Sequence, residues 1–396
     1  MPLTLLCVAT YRKGDEFLRE ARRQGCRVLL VTDETLREAD WPREAIDGTY
    51  YVRRDMPDAD IRKGAAYLAR HERLDRIVAL DDFDVEPAAM LREHLNVPGL
   101  GQTAARGFRD KLAMRVRARA AGIACPDFVH PVNEEALREW TSRVAPPWVL
   151  KPRSQAAAIG IRRIGSGDEL REALDTLADD RAEFLLERFV PGDVFHVDSL
   201  VFGGRVVFAT ASRYGMPPMA VAHEGGIFVT QTLDDRDPLV VALKELNARL
   251  LAAFGLGRGA SHTEFIRAED GRLRFLETSA RVGGAYIVDV VAAATGVNLW
   301  QEWAKIEIAG DGGHYDPPVS GEKCAGIVLS LARQEWPDLS GYAESEIVQR
   351  VNKRHHAGLI VASRDAARVQ HLLETYRTRF STEFHASAPP PARATD

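Results

Sequence analysis

Short apolar runs of strand length alternate with amphipathic segments through the first hundred or so residues. The run LTLLCVA (3–9) leads through a polar turn into DEFLREARRQG, where apolar positions recur at helical spacing and Gly25 suits the helix end. CRVLLVTD and RIVALDD predict two more strands, and PAAMLREHLN predicts a helix. Strands alternating with helices predict a small parallel α/β domain over residues 1–105, Rossmann-like in layout. The first strand is not followed by G-x-G-x-x-G, so a dinucleotide site gains little support.

The pattern changes after Asp110. KLAMRVRARAAG predicts a basic helix ended by Gly122, PPWVLKPRSQAAAIGIRRI reads as strand, loop, strand, and the helix DELREALDTLADD follows. A run of strands comes next in FLLERFVPGDVFHVDSLVFGGRVVFATASRYG, with a Gly203-Gly204 turn, then the long helix DPLVVALKELNARLLAAFGLG and the hairpin SHTEFIRAEDGRLRFLETS. VVAAATGVNLWQEWAKIEIAG predicts a helix in which Gly296 is either a break or a close-packing point. CAGIVLSLA, HHAGLIVAS and RDAARVQHLLETYRTRF predict one more small βαβ-type unit, residues 313–385, before a tail, 386–396, expected to be disordered.

At 396 residues and 45% hydrophobic content, the chain is long enough for a large core divided among two or three domains. A net charge of -5 provides no basic field for polynucleotides, which excludes a nucleic-acid partner. No run approaches a membrane span, and the apolar start fits a strand better than a signal peptide, so the expected location is the cytoplasm. The four cysteines are scattered without C-x-x-C spacing and read as reduced.

Candidate chemistry centres on the hairpin. A two- or four-residue loop at Asp270-Gly271 places Glu264 opposite Glu277 and His262 opposite Ser279, whereas a three-residue loop shifts the pairing by one and separates the acids. Like charges facing each other on a sheet need a counter-charge, and a hard divalent cation supplies one. Arg281 is suited to phosphate oxygens, and Gly283 and Gly284 allow close approach of backbone and substrate. Cationic partners are sought in Lys111, at a helix start where the dipole disfavours it, and in Lys151, at the end of an apolar strand. The small-residue loop after Lys151, with Gln155, Ala158 and Gly160, offers backbone donors to phosphate. In LLERFVPGD, Glu187 and the backbone of Arg188, Phe189 and Val190 are candidates for an adenine edge, and Asp193 for a ribose hydroxyl.

In this order, RDKLAMRVRARAAGIACPDF, VLKPRSQAAAIGI, LLERFVPGD and HTEFIRAEDGRLRFLETSARVGG resemble the ATP-grasp superfamily of carboxylate-amine ligases, over roughly residues 1–310. The resemblance implies an ATP-grasp fold, α+β in its ATP-binding part: a first subdomain, 106–186, carrying the phosphate loop, and a second, 187–312, carrying the metal and nucleotide site. It implies ATP as cosubstrate, with Mg²⁺ (two ions, or Mn²⁺ in their place) at Glu264, Glu277 and Ser279. Lys111 and Lys151 match the phosphate-binding lysines, and Arg281, with Lys151, the residues of the transfer step. Ser279 stands where the family commonly has Asn, and the phosphate loop is poorer in glycine than usual. The reaction implied is amide formation from small carboxylate and amine substrates through an acyl phosphate, with Arg213 and His223 lining the acceptor pocket; a homodimer is compatible with it. Competing readings are a carboxylase-like or purine-pathway enzyme acting on bicarbonate or formate, and an ATP-binding regulator without turnover.

Overall fold

Thr4–Ala9 (β1) is buried at all six positions, the profile of a parallel strand covered on both faces. The computed structural model describes residues 2–53, 55–156, 158–219, 221 and 225–386. With β2 (Arg27–Asp33), β3 (Gly48–Val52) and β4 (Arg76–Ala79), β1 forms a parallel sheet in the order β3-β2-β1-β4. β3 was absent from the sequence pattern because GTYYV lies at the sheet edge with no position fully buried. The strand order reverses between β1 and β4, so the loops after these two strands diverge and leave a crevice at their carboxyl ends.

A second sheet is small and antiparallel. β5 (Phe128–Val129), β6 (Trp148–Pro152), β7 (Arg162–Ile164) and β8 (Phe184–Arg188) run in the order β5-β8-β6-β7. The helices Glu134–Arg143 and Gly167–Leu177 cover it through a core of its own, built on Leu137, Trp140, Trp148, Leu170 and Leu186.

The third sheet has eight strands. β9 (Gly192–Phe202), β10 (Arg205–Tyr214), β11 (Phe228–Thr232), β12 (Gly259–Ala268), β13 (Leu273–Ser279), β14 (Cys324–Leu331), β15 (Ile347–Arg350) and β16 (His356–Ser363) follow the order β13-β12-β9-β10-β11-β14-β16-β15. The C-terminal strands therefore differ from the expected βαβ unit: β14 and β16 pair antiparallel, and β14 joins β11, so the segment extends the central sheet. Helix Ala366–Glu383 covers this extension with Val369, Leu372, Tyr376 and Phe380. Of the proposed tail, residues 387–396 lie outside the described residues, while the Ala386 amide is held by the Leu331 carbonyl at 3.0 Å.

Gly296 proves to be a break. It takes a left-handed φ of 77° and ends the helix Ile287–Thr295, and Asn298 caps the next helix, Leu299–Ala309. One continuous core joins the parallel sheet to the eight-stranded sheet, from Leu6 and Ile77 through Phe108 and Phe254 to Phe265 and Phe275. It holds the first sheet, with its open crevice, against the strands that carry the acids.

Candidate active site

Glu264 and Glu277 pair directly across β12 and β13, and His262 pairs with Ser279, as the sequence predicted. The route to that register differs. The Gly271 amide donates to the Ala268 carbonyl and Gly271 has φ 75°, so the turn is of the three-residue kind that pairs Arg267 with Leu273 and should have separated the acids. A bulge between Glu264 and Phe265 adds one residue on β13 and restores the pairing. Leu276 and Glu277 consequently both line the cleft. Phe275, which regular pairing outward from Glu264–Glu277 would set beside Ile266, instead pairs with Phe265 and is fully buried with it.

A buried polar chain backs Glu264. Tyr214 on β10 donates to Glu264 Oε1 at 2.8 Å, and His262 Nε2 lies 3.6 Å from the same oxygen. His262 Nδ1 bonds to Asp198 Oδ1 at 2.8 Å, and His196 Nδ1 bonds to the other Asp198 oxygen at 2.6 Å; His196 Nε2 reaches the Thr230 hydroxyl at 2.7 Å. Burial pulls the His262 imidazole down, but Asp198 and Glu264 outweigh it and raise it to about 9. His196, Asp198 and His262 are metal-ligand types within reach of one another. Because both Asp198 oxygens are occupied by imidazoles, the group is a hydrogen-bonded charge network. Gly283 packs on it: a Cβ there would lie 2.8 Å from Asp198 Oδ1.

The two lysines converge on the same cleft, which has a volume of about 1100 Å³. Asp110 caps the helix Lys111–Ala120 by accepting from the Leu112 amide at 2.9 Å. Lys111 Nζ lies 3.0 Å from Glu277 Oε2 and donates to the Gln155 carbonyl at 2.7 Å, the anionic neighbour that its place at a helix start demanded. Burial opposes the charge on Glu277, but Lys111 and Lys151 hold its carboxyl below the ordinary range. Lys151 Nζ sits 2.5 Å from Glu187 Oε2, and the other Glu187 oxygen is 2.5 Å from Nε of the fully buried Arg115. Burial pulls the Lys151 ammonium down to about 8 against the pull of Glu187, and Arg115 adds to the fall.

The parallel sheet supplies the opposite rim. Asp82, after β4, stands 3.1 Å from Arg109 and 3.5 Å from Arg281, so it ties the arginine beyond β13 to the first sheet. Burial would raise the Asp82 carboxyl, but Arg281, Arg109 and Ser279 hold it well below its usual value. Lys13, after β1, pairs with Asp81; both line the cleft at the crevice where the strand order reverses.

Several sequence candidates move. Arg213 is exposed and faces away from the cleft, because its neighbour Tyr214 faces in and successive strand residues alternate. For the same reason Asp193, between the cleft residues Gly192 and Val194, points outward to Arg267 at 3.2 Å. Glu187 lines the cleft but is spent on Arg115 and Lys151. The Arg188 and Phe189 amides are taken by the Asp127 and Pro147 carbonyls at 2.8 and 3.0 Å, which leaves their side chains and Val190 on the cleft wall. Gln155 and Ala158 line the cleft; Gly160 packs over Pro152 instead, with φ 72°. Ser279, Arg281, Gly283 and Gly284 all line it. His223 lies outside the described residues. The sequence reading missed Asp82, Arg109, Arg115, His196 and Asp198. A helical i, i+4 step links Lys111 to Arg115, and a strand i, i+2 step links His196 to Asp198, which are the signals that would have found two of these pairs.

The donor set suits a divalent cation with a polyphosphate. Two adjacent carboxylates face three cationic side chains, and among buried atoms Arg281 Nε and Asp82 Oδ1 have no hydrogen-bond partner among the described residues.

Residues 144–289 match the family model of the ATP-grasp domain. The sequence is 24% identical to the L-arginine-specific L-amino acid ligase of Bacillus subtilis over 314 residues, 75% of this chain and 75% of that one. The fold matches the crystal structure of an L-amino acid ligase from Bacillus licheniformis with a TM-score of 0.76 at 18% identity, covering 97% of this chain and 98% of that chain. It also matches N5-carboxyaminoimidazole synthetase from Staphylococcus aureus complexed with ADP, with a TM-score of 0.73 at 14% identity over 95% and 98% of the two chains. Among the described residues no helix is long and apolar enough to cross a membrane.

Proposed function

We propose that this chain, an ATP-grasp enzyme of the ligase type, joins a small carboxylate to an amine at the expense of ATP. The observation that carries this reading is the convergence of Lys111, Lys151, Arg281, Glu264 and Glu277 on one cleft. In the first step a carboxylate oxygen of the substrate bonds to the γ-phosphorus, the bond from phosphorus to the bridging oxygen breaks, and ADP leaves. The amine nitrogen then bonds to the acyl carbon, phosphate departs with the electrons of the C–O bond, and the nitrogen loses its proton. Magnesium held by Glu264 and Glu277 would neutralise the phosphate oxygens. Lys111, Lys151 and Arg281 would bind the phosphates and hold them against the attacking oxygen, a task of positioning and charge complementarity that requires no protein nucleophile.

Phosphate release measured over pairs of amino acids and small carboxylic acids tests the reading. One pair should yield ADP, phosphate and one amide in equal amounts. AMP as the nucleotide product would overturn it. ATP binding without turnover for any pair would mark a regulator, and turnover with bicarbonate alone a carboxylase-like enzyme.

Lys151 gives the nucleotide affinity a pH dependence. Its ammonium is near pKa 8 in the free cleft and becomes more basic beside phosphate, so the bound state prefers the protonated lysine. ADP affinity is therefore full below about pH 8 and falls as pH rises beyond it, with a proton taken up on binding near that pH. Calorimetry in two buffers of different ionisation enthalpy measures the uptake, and Lys151→Met should abolish it.

A further inference from the structure

One acid on the cleft wall has no part in the phosphate-binding set. Asp289 lies in the first turn of the helix Ile287–Thr295 and lines the cleft, and among the described residues no lysine, arginine or histidine pairs with it. Among the described residues its one side-chain hydrogen-bond partner is Gln349, whose amide donates to Oδ1 at 3.4 Å. Burial pushes its carboxyl up, the hydrogen bonds from Gln349 and the backbone offset this only in part, and the charge of Glu16 adds to the rise. A helix start favours an acid in its first turn, but a solvent-facing acid would serve the dipole equally well. An acid turned into a cleft without a counter-ion is suited to a cation that arrives with a ligand.

The surroundings suit an organic cation. Tyr286, close enough for the Asp289 charge to raise its phenol along with burial, and Trp300 line the same cleft and present aromatic surface. Ala285 and Tyr286 hold left-handed φ values of 50° and 61° directly after Gly283-Gly284, a conformation that side chains adopt only where the surrounding structure imposes it. This constrained segment links Arg281, assigned to phosphate, to Asp289. The cations assigned to phosphate thus come from β6, the helix Lys111–Ala120 and the loop after β13, whereas Asp289 stands on the helix that follows.

We propose that Asp289, with Tyr286 and Trp300, binds the amine substrate in its ammonium form, which makes the acceptor a protonated primary amine with apolar surface beside its nitrogen rather than ammonia or a neutral amine. The ammonium gives up its extra proton to solvent before the nitrogen lone pair attacks the acyl carbon.

This inference rests on the ligase reading, and hydroxylamine separates the two. Hydroxylamine is largely uncharged near neutral pH and traps an acyl phosphate as a hydroxamate without an ammonium site. Amide and hydroxamate formation are measured on the wild type, Asp289→Asn and Asp289→Glu, with the substrate pair found by the phosphate-release screen. In Asp289→Asn the amide-to-hydroxamate ratio should fall about tenfold or more through the KM of the amine, and Asp289→Glu should recover part of it. The KM for ATP should stay within about twofold. If Asp289→Asn does not fold, Asp289→Ser serves the same comparison. An unchanged ratio overturns the inference, whether both rates persist or both are lost together. Absence of hydroxamate from the wild type with every carboxylate overturns the ligase reading and this inference with it.

Discussion

Glu277→Gln is expected to lower ADP formation by about a hundredfold or more, the scale on which a single group that stabilises transferring charge acts. The substitution keeps the volume of the side chain and one acceptor oxygen, and removes its charge. That charge stands opposite Glu264 and 3.0 Å from Lys111. Its loss relieves a like-charge pair on the sheet while breaking an ion pair, so the two effects on stability partly offset and the thermal midpoint should move little. Catalysis has no such compensation, because a neutral amide is a poor ligand for magnesium. The rise in thermal midpoint that ADP produces in the presence of magnesium should disappear, while the smaller rise with ADP alone should remain. Full activity, or an undiminished magnesium-dependent rise, would remove Glu277 from the site.

The acids were legible in the sequence for a reason that is only half right. Alternation fixed that His262, Glu264, Glu277 and Ser279 share one strand end, but the turn was read as pairing them directly. The actual turn is out of step by one, and a bulge on β13 brings the strands back. Bulges leave no local sequence signal: Leu276 is as compatible with regular pairing as with the irregular one, and burial of Phe275 against Phe265 decides between them. Lys111 and Lys151 were visible because each is a charge in a place that local physics disfavours. Arg115 was invisible by contrast, as one arginine among several on a basic helix, and only packing shows that it alone is fully buried. Arg213 and Asp193 lie off the cleft for a simpler reason. Which face of a strand looks into the cleft is set by the strand's neighbours, and one step along β9 or β10 reverses the answer.

The largest loss of stability among single substitutions in the site is expected from Glu187→Gln. Glu187 is the shared anion between Arg115, which is fully buried, and Lys151, which is nearly so. Removing either cation leaves a neutral pair, whereas removing the anion leaves two cations facing each other out of water, a change that typically costs about 3–5 kcal/mol. Its pH dependence has a definite sign. Burial opposes the Glu187 charge, but Arg115 and Lys151 hold the folded pKa below the ordinary value, so the stabilisation is present above that ordinary value and is lost as pH falls through the folded one. At neutral pH the full difference between wild type and Glu187→Gln should be visible in urea unfolding, and it should shrink toward acid. A second consequence reaches the nucleotide. Glu187 is the charge that raises Lys151 against its burial, so without it the lysine's pKa falls further. The fall of ADP affinity with pH should therefore begin at lower pH in Glu187→Gln than in the wild type. Were Glu187 instead reading the adenine edge, the variant would weaken ADP and GDP unequally, with no shift of the pH profile and little loss of stability.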